Sequence, residues 1–132
     1  MLFRSNAVDA MRPDGRLVLR TEVFTDQPPP GRRWGALLRW PAVGLTVRDD
    51  GVGVTPDNLP RLCEPFFTTK PGGNGSGLGL YNARIFAERH GGEIAVHSVP
   101  GAGSAVTLLF PEADFSEIPP SSGGETEEKI TP

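Results

Sequence analysis

The chain has 132 residues, of which 37% are hydrophobic, with a formal charge of −3 and one cysteine, Cys63. That length supports one hydrophobic core rather than two. A single cysteine excludes an internal disulfide framework, and no run of about 18 apolar residues is present to span a membrane. The charge is uneven. Residues 112–132 carry six acidic side chains and one lysine, which leaves ten acidic against twelve basic in residues 1–111. That balance suits a polyphosphate ligand and is too weakly basic to point to nucleic acid. Arg4, Ser5 and Asn6 follow Met1-Leu2-Phe3 at once, so no signal peptide is expected and a reducing cytoplasm is the expected location.

In chain order, residues 2–11 read as a short helix with Leu2, Phe3, Ala7, Ala10 and Met11 apolar. Pro13-Asp14-Gly15 predicts a turn. Residues 16–24 alternate, with Leu17, Leu19, Thr21 and Val23 on one face and Arg20 and Glu22 on the other, as in a half-buried strand. Residues 26–33, containing Pro28-Pro29-Pro30-Gly31, read as a loop. Residues 36–40 and 44–48 read as strand, interrupted by Pro41.

Residues 49–54 form a glycine-bearing turn. Residues 56–62 predict a short helix, with Thr55 as N-cap and Pro56 at the first helical position. Residues 66–76 are polar and glycine-rich. A second helix is predicted over 77–90 and stops at Gly91-Gly92. Residues 94–98 and 105–110 alternate around Pro100-Gly101-Ala102-Gly103, which predicts a hairpin. After Pro111 the composition turns to Pro, Ser, Gly and Glu. The expected division is therefore a folded domain over 1–111 and a disordered acidic tail over 112–132. Helices set against an antiparallel finish imply an α+β fold, a two-layer sandwich of a mixed, mainly antiparallel sheet and helices.

Four stretches carry chemistry. In Asp49-Asp50-Gly51-Val52-Gly53, a carboxylate at a strand end can accept from an adenine amino group, while Gly51 and Gly53 admit a flat ring to the backbone. Alone it also reads as an ordinary Asp-Gly turn. In Gly73-Asn74-Gly75-Ser76-Gly77-Leu78-Gly79-Leu80, backbone N–H groups at a helix start can cradle phosphate oxygens. It is not a Walker loop, because no Gly-Lys-Ser/Thr follows. Its bland alternative is a flexible linker. Asn6 offers an amide oxygen to Mg²⁺, although a helical Asn is commonly only a surface residue. In Glu64-Pro65-Phe66-Phe67-Thr68-Thr69-Lys70, the aromatic pair can pack on the core. Thr68, Thr69 and Lys70 then face a ligand, and Lys70 presents a point charge to a terminal phosphate.

Taken together and in this order, these stretches closely resemble the catalytic, ATP-binding domain of sensor histidine kinases. Asn6-Ala7-Val8-Asp9-Ala10-Met11 is similar to the family's N box, residues 49–53 to its Asp-x-Gly-x-Gly box, residues 64–70 to its F box and residues 75–80 to its Gly-x-Gly-Leu-Gly-Leu box. The run Glu-Pro-Phe-Phe-Thr-Thr-Lys-Pro looks most like the nitrogen-regulation type. His90-Gly91-Gly92-Glu93-Ile94 and Gly101-Ala102-Gly103-Ser104 match as well.

The resemblance implies a sandwich shared with type II topoisomerases, MutL and Hsp90, and a protein histidine kinase with ATP and Mg²⁺ as its cofactors. Asp49 would read adenine, with Gly51 and Gly53 beside it. Asn6 would hold Mg²⁺, and Lys70 would approach the γ-phosphate. Thr69, Gly75, Ser76, Gly77, Leu78 and Gly79 would line the phosphate lid. The partners implied are a histidine-bearing dimerisation domain and a response regulator. Departures also follow from the comparison. Leu2 stands where hydrolysing relatives carry a Glu base and kinases an Asn, and Asp9 stands where some kinases carry a Lys or Arg. The family's domain starts before the first helix here, so an N-terminally truncated domain lacking its first strand is expected. His90 reads as a helix cap and His97 as sheet surface, so no phosphorylation within this chain is expected. The alternative is a non-catalytic nucleotide-binding regulatory module or an inactive fragment.

Overall fold

The computed structural model describes residue 11 and residues 13–35, 38–69 and 77–112. Five strands make one sheet: β1 (Leu17–Phe24), β2 (Arg32–Gly35), β3 (Ala42–Asp49), β4 (Glu93–Val99) and β5 (Gly103–Pro111). Their spatial order is β1-β3-β5-β4-β2, and every pairing among them is antiparallel. Among the described residues one α-helix, α1 (Gly79–Arg89), lies across β4, β5 and β2. The fold is the α+β sandwich that the sequence implies.

Alternation sorts the side chains between the two faces of the sheet. On the α1 side, Leu17, Val47, Ile94 and Leu108 pack with Ala83 and Ala87 of the helix and with Cys63 from the β3–α1 connection. Ala87, Ile94 and Cys63 are fully buried. The opposite face is covered by Leu38, Trp40 and Phe24, which pack on Ala42, Ala95 and Leu109. Gly44 makes room there, because a Cβ at this position would stand 2.5 Å from the Phe24 ring. Thr46 and Thr107 pair across β3 and β5 on the same face, with their hydroxyls 2.8 Å apart.

Helix α1 ends as its sequence dictates. His90 caps it, its Nδ1 lies 2.8 Å from the Phe86 carbonyl oxygen, and Gly91 turns the chain at φ +70°. The predicted hairpin is present with each strand a residue or more longer than expected.

Three local expectations are corrected. The loop read over 26–33 contains the start of β2, whose partner is β4 some sixty residues later. Residues 38–40, read as strand, lie in none, and residues 36–37 are outside the described residues. The helix read over 56–62 is one 3-10 turn, Leu59–Arg61, entered through two N–H groups that donate to the Thr55 carbonyl, at 3.1 Å from Asn58 and 3.0 Å from Leu59. Pro60, at the start of that turn, has no N–H to donate to a longer helix. The face of β1 was also only partly as read, since Leu17 is buried but Val23 is 57% exposed. β1 is at the edge of the described sheet and α1 packs on β4, β5 and β2, so on that face the core takes in Leu17 and Leu19 from the first half of β1. The helix read over 2–11 lies outside the described residues except for Met11, which packs against the core.

Candidate nucleotide site

Asp49 is the last residue of β3 and shares its sheet face with Val47, the face that carries α1. It is 7% exposed. Its carboxylate accepts from the Gly51 backbone N–H at 2.9 Å and from the Ser104 backbone N–H. Burial pushes the Asp49 carboxyl above its ordinary value. The two backbone donors pull it down without cancelling that effect, and the neighbouring Asp50 charge adds a small further rise.

The adjacent acid does different work. Asp50 is exposed, and its carboxylate accepts from the Arg16 backbone N–H at 2.8 Å while its own N–H donates to the Arg16 carbonyl at 3.3 Å. Asp50 therefore braces the turn against the entrance to β1, and Asp49 alone faces inward. Gly53 takes φ +70°, and a Cβ there would overlap the Val99 carbonyl. The turn thus needs its glycine for close approach as well as for conformation.

From the turn, the chain passes through the 3-10 segment to Phe66. Phe66 has φ +66° and is 74% exposed, so the expectation that both phenylalanines pack on the core holds poorly for this one. Phe67 is half-buried, with the Arg61 guanidinium 4.6 Å from its ring centroid. The Phe66 N–H donates to the Gly77 carbonyl at 2.9 Å. Thr68 is half-buried and Thr69 exposed. Gly77 adopts φ +67° with its Cα against the Phe66 backbone, Leu78 is the N-cap of α1, and Gly79 is its first residue. The leucine side chain at this N-cap makes no capping hydrogen bond of its own.

The structure therefore gathers Asp49, Gly51 and Gly53 in one turn and Gly77, Leu78 and Gly79 at one helix start, with Thr69 on the segment between. Asn6, Lys70, Gly75 and Ser76 lie outside the described residues. Among the described residues no cluster of His, Cys, Asp and Glu is arranged to hold a metal. Sequence reading singled out neither Ser98 nor the Ser104 backbone N–H. Their contacts with the turn join residues more than forty positions apart, and the only hint was the glycine-serine ending of the hairpin.

The site thus sets a buried carboxylate, Asp49, before a turn in which Gly53 makes a close approach to the Val99 carbonyl. The chain belongs to the family of histidine kinase-, DNA gyrase B- and HSP90-like ATPases, whose pattern it matches over residues 3–114. Within that family it corresponds to the C-terminal catalytic, ATP-binding domain of histidine kinases. It is 37% identical over 112 residues to sporulation kinase E of Bacillus subtilis, which is 85% of this chain and 13% of that protein. It is 43% identical over 72 residues to the sensor histidine kinase YkoH of the same organism, which is 52% of this chain and 16% of that protein. The chain thus spans a small part of the relatives it matches. The mycobacterial sensor histidine kinase MprB has a similar fold at TM-score 0.59 and 27% identity, over 83% of this chain and 64% of that one. Full-length ShkA in complex with AMPPNP gives TM-score 0.59 and 28% identity, over 83% of this chain and 19% of that one.

No helix among the described residues is long and apolar enough to cross a membrane.

Proposed function

We propose that this chain binds ATP with Mg²⁺ and delivers the γ-phosphate to a histidine on a dimerisation domain, from which a response regulator takes it. The observation that carries the reading is the state of Asp49. Its carboxylate is buried and held by two backbone donors, and a carboxylate has further lone pairs with which to accept from an exocyclic amine. Burial that raises a carboxyl group costs stability, and a ligand donor is the natural return for that cost.

In this reading Asp49 accepts from the adenine amino group, and Gly51 and Gly53 let the ring lie against the backbone. The start of α1, at Gly77, Leu78 and Gly79, presents backbone N–H groups to the phosphates. Gly75, Ser76 and Thr69 line the same phosphate segment. Asn6 would hold Mg²⁺, which would supply charge neutralisation, and Lys70 would meet the γ-phosphate. Phosphoryl transfer needs little from a protein beyond such positioning and charge. A cytoplasmic setting fits this chemistry and the single buried Cys63.

The test uses the chain, ATP labelled on its γ-phosphate, and the histidine-bearing dimerisation domain of a related sensor kinase added in trans. Label on that histidine supports the proposal. The rival reading, a nucleotide-binding module without transfer, draws on Leu2 in place of the usual polar residue. It predicts nucleotide binding with no label on any histidine domain offered.

A further inference from the structure

The Asp49 turn is held at both ends by one pair of serines. Ser98 in β4 and Ser104 in β5 are cross-strand partners, with hydroxyl oxygens 2.8 Å apart. At the entrance of the turn, the Ser104 N–H donates to the Asp49 carboxylate. At its exit, the Val54 N–H donates to the Ser98 hydroxyl at 2.7 Å. The Ser98 hydroxyl in turn donates to the Gly103 carbonyl at 3.1 Å.

A serine hydroxyl has one proton and two lone pairs. With Val54 N–H and Ser104 O–H filling the lone pairs and its own proton on Gly103, the Ser98 hydroxyl is fully used. A serine pair needed only for the hairpin would close within β4 and β5. Here the third bond leaves the hairpin for a residue 44 positions earlier. Other contacts run in the same direction. Gly101 N–H donates to the Val52 carbonyl at 2.8 Å, and Gly103, at φ +119°, lies so close to the Asp49 carbonyl that a Cβ would overlap it. The turn is thus fitted onto the end of the hairpin, and among the described residues Ser98 is the side chain that bonds both its exit and the partner of its entrance.

We propose that Ser98 is a positioning residue for adenine recognition. Its hydroxyl fixes the turn so that the Asp49 carboxylate points at the exocyclic amine. This rests on the reading of Asp49 as the adenine acceptor. Threonine can supply the same three hydrogen bonds, whereas alanine supplies none. Ser98 is half-buried, in a strand where a β-branched residue is well accommodated.

The test compares ATP with ITP, which lacks the amino group, by calorimetric titration of the full chain and of Ser98→Ala, Ser98→Thr and Ser98→Cys. The parent chain is expected to favour ATP. Ser98→Ala should shrink that preference by about fivefold, the worth of one displaced hydrogen bond, and Ser98→Thr should restore it. If Ser98→Ala gives no cooperative thermal transition, Ser98→Cys, which keeps the side-chain volume with weak hydrogen bonding, is read in its place. A variant that binds both nucleotides more weakly by the same factor, or that keeps the parent's preference, overturns the inference and leaves Asp49 as the reader. A parent chain that does not distinguish ATP from ITP removes Asp49 from that role, and the inference fails with it.

Discussion

The backbone N–H of Phe66 donates to the carbonyl of Gly77 at 2.9 Å, which ties the segment after the 3-10 turn to the residues that start α1. The contact depends on the absence of a side chain, because a Cβ on Gly77 would stand 2.6 Å from the Phe66 Cα. Gly77 also sits at φ +67°, where a side chain adds steric cost.

Gly77→Ala should therefore separate the two segments that meet at this contact. The expected cost is about 1–3 kcal/mol of stability, with weaker binding of ATP than of adenosine, since the phosphate end is the part displaced. Thermal melts and paired titrations check it. Unchanged affinity for ATP would show that the junction does not shape the phosphate side.

Asp49 should give an inverted stability effect. Its carboxyl is raised in the folded protein, so the folded state holds the proton more tightly than the unfolded chain. Stability contributed by this group is then greatest below the unfolded value, near 3.9, and declines as pH rises through the raised folded value. Asp49→Asn removes that decline. The ligand-free variant is expected to melt no lower than the parent at pH 7, with any advantage shrinking as pH falls. A variant that melts well below the parent at pH 7 contradicts this. Adenosine binding should also weaken on acidification sooner than an ordinary aspartate would allow, because the acceptor must be ionised.

Cys63 is fully buried, and burial pushes its thiol up to about 12. Thiolate is the reactive form, so Cys63 should resist iodoacetamide in the folded chain at pH 8 and react once denaturant unfolds it. The labelling midpoint should coincide with loss of far-ultraviolet dichroism. Rapid labelling without denaturant would mean that the β3–α1 connection opens independently of the sheet.

Arg33 and Glu93 test the back of the sheet. The Glu93 side chain is 7% exposed and its Oε2 lies 3.5 Å from Arg33 Nη1, close enough for attraction but outside hydrogen-bond geometry. Arg33→Ala should destabilise by about 1 kcal/mol or more by stranding a buried carboxylate, a figure reduced from fully buried pairs because Arg33 is 39% exposed. Adding Glu93→Gln should recover part of the loss. Urea denaturation of the two single variants and the double variant measures the coupling.

Much of this fold was legible in the sequence where periodicity is local. The alternation in β4 and β5 and the glycine stop after His90 each rest on neighbouring residues. β2 was not legible, because Arg32-Arg33-Trp34-Gly35 has no alternating pattern and owes its strand to pairing with residues 93–96. The candidate site divides the same way. Asp49 stands out as an acid between an apolar strand and two glycines. Ser98 carries no such mark, since a serine in an alternating strand is ordinary until the fold brings Val54 to it. Phe66 misled because hydrophobicity says nothing about φ.

The central claim, that Asp49 anchors an ATP site, is tested most directly by calorimetric titration of the chain and of Asp49→Asn with a non-hydrolysable ATP analogue and Mg²⁺. The account predicts saturable binding by the parent chain and its loss in the variant while the variant keeps a cooperative thermal transition. Equal binding by both proteins, or no binding by a parent chain that melts cooperatively, would contradict it.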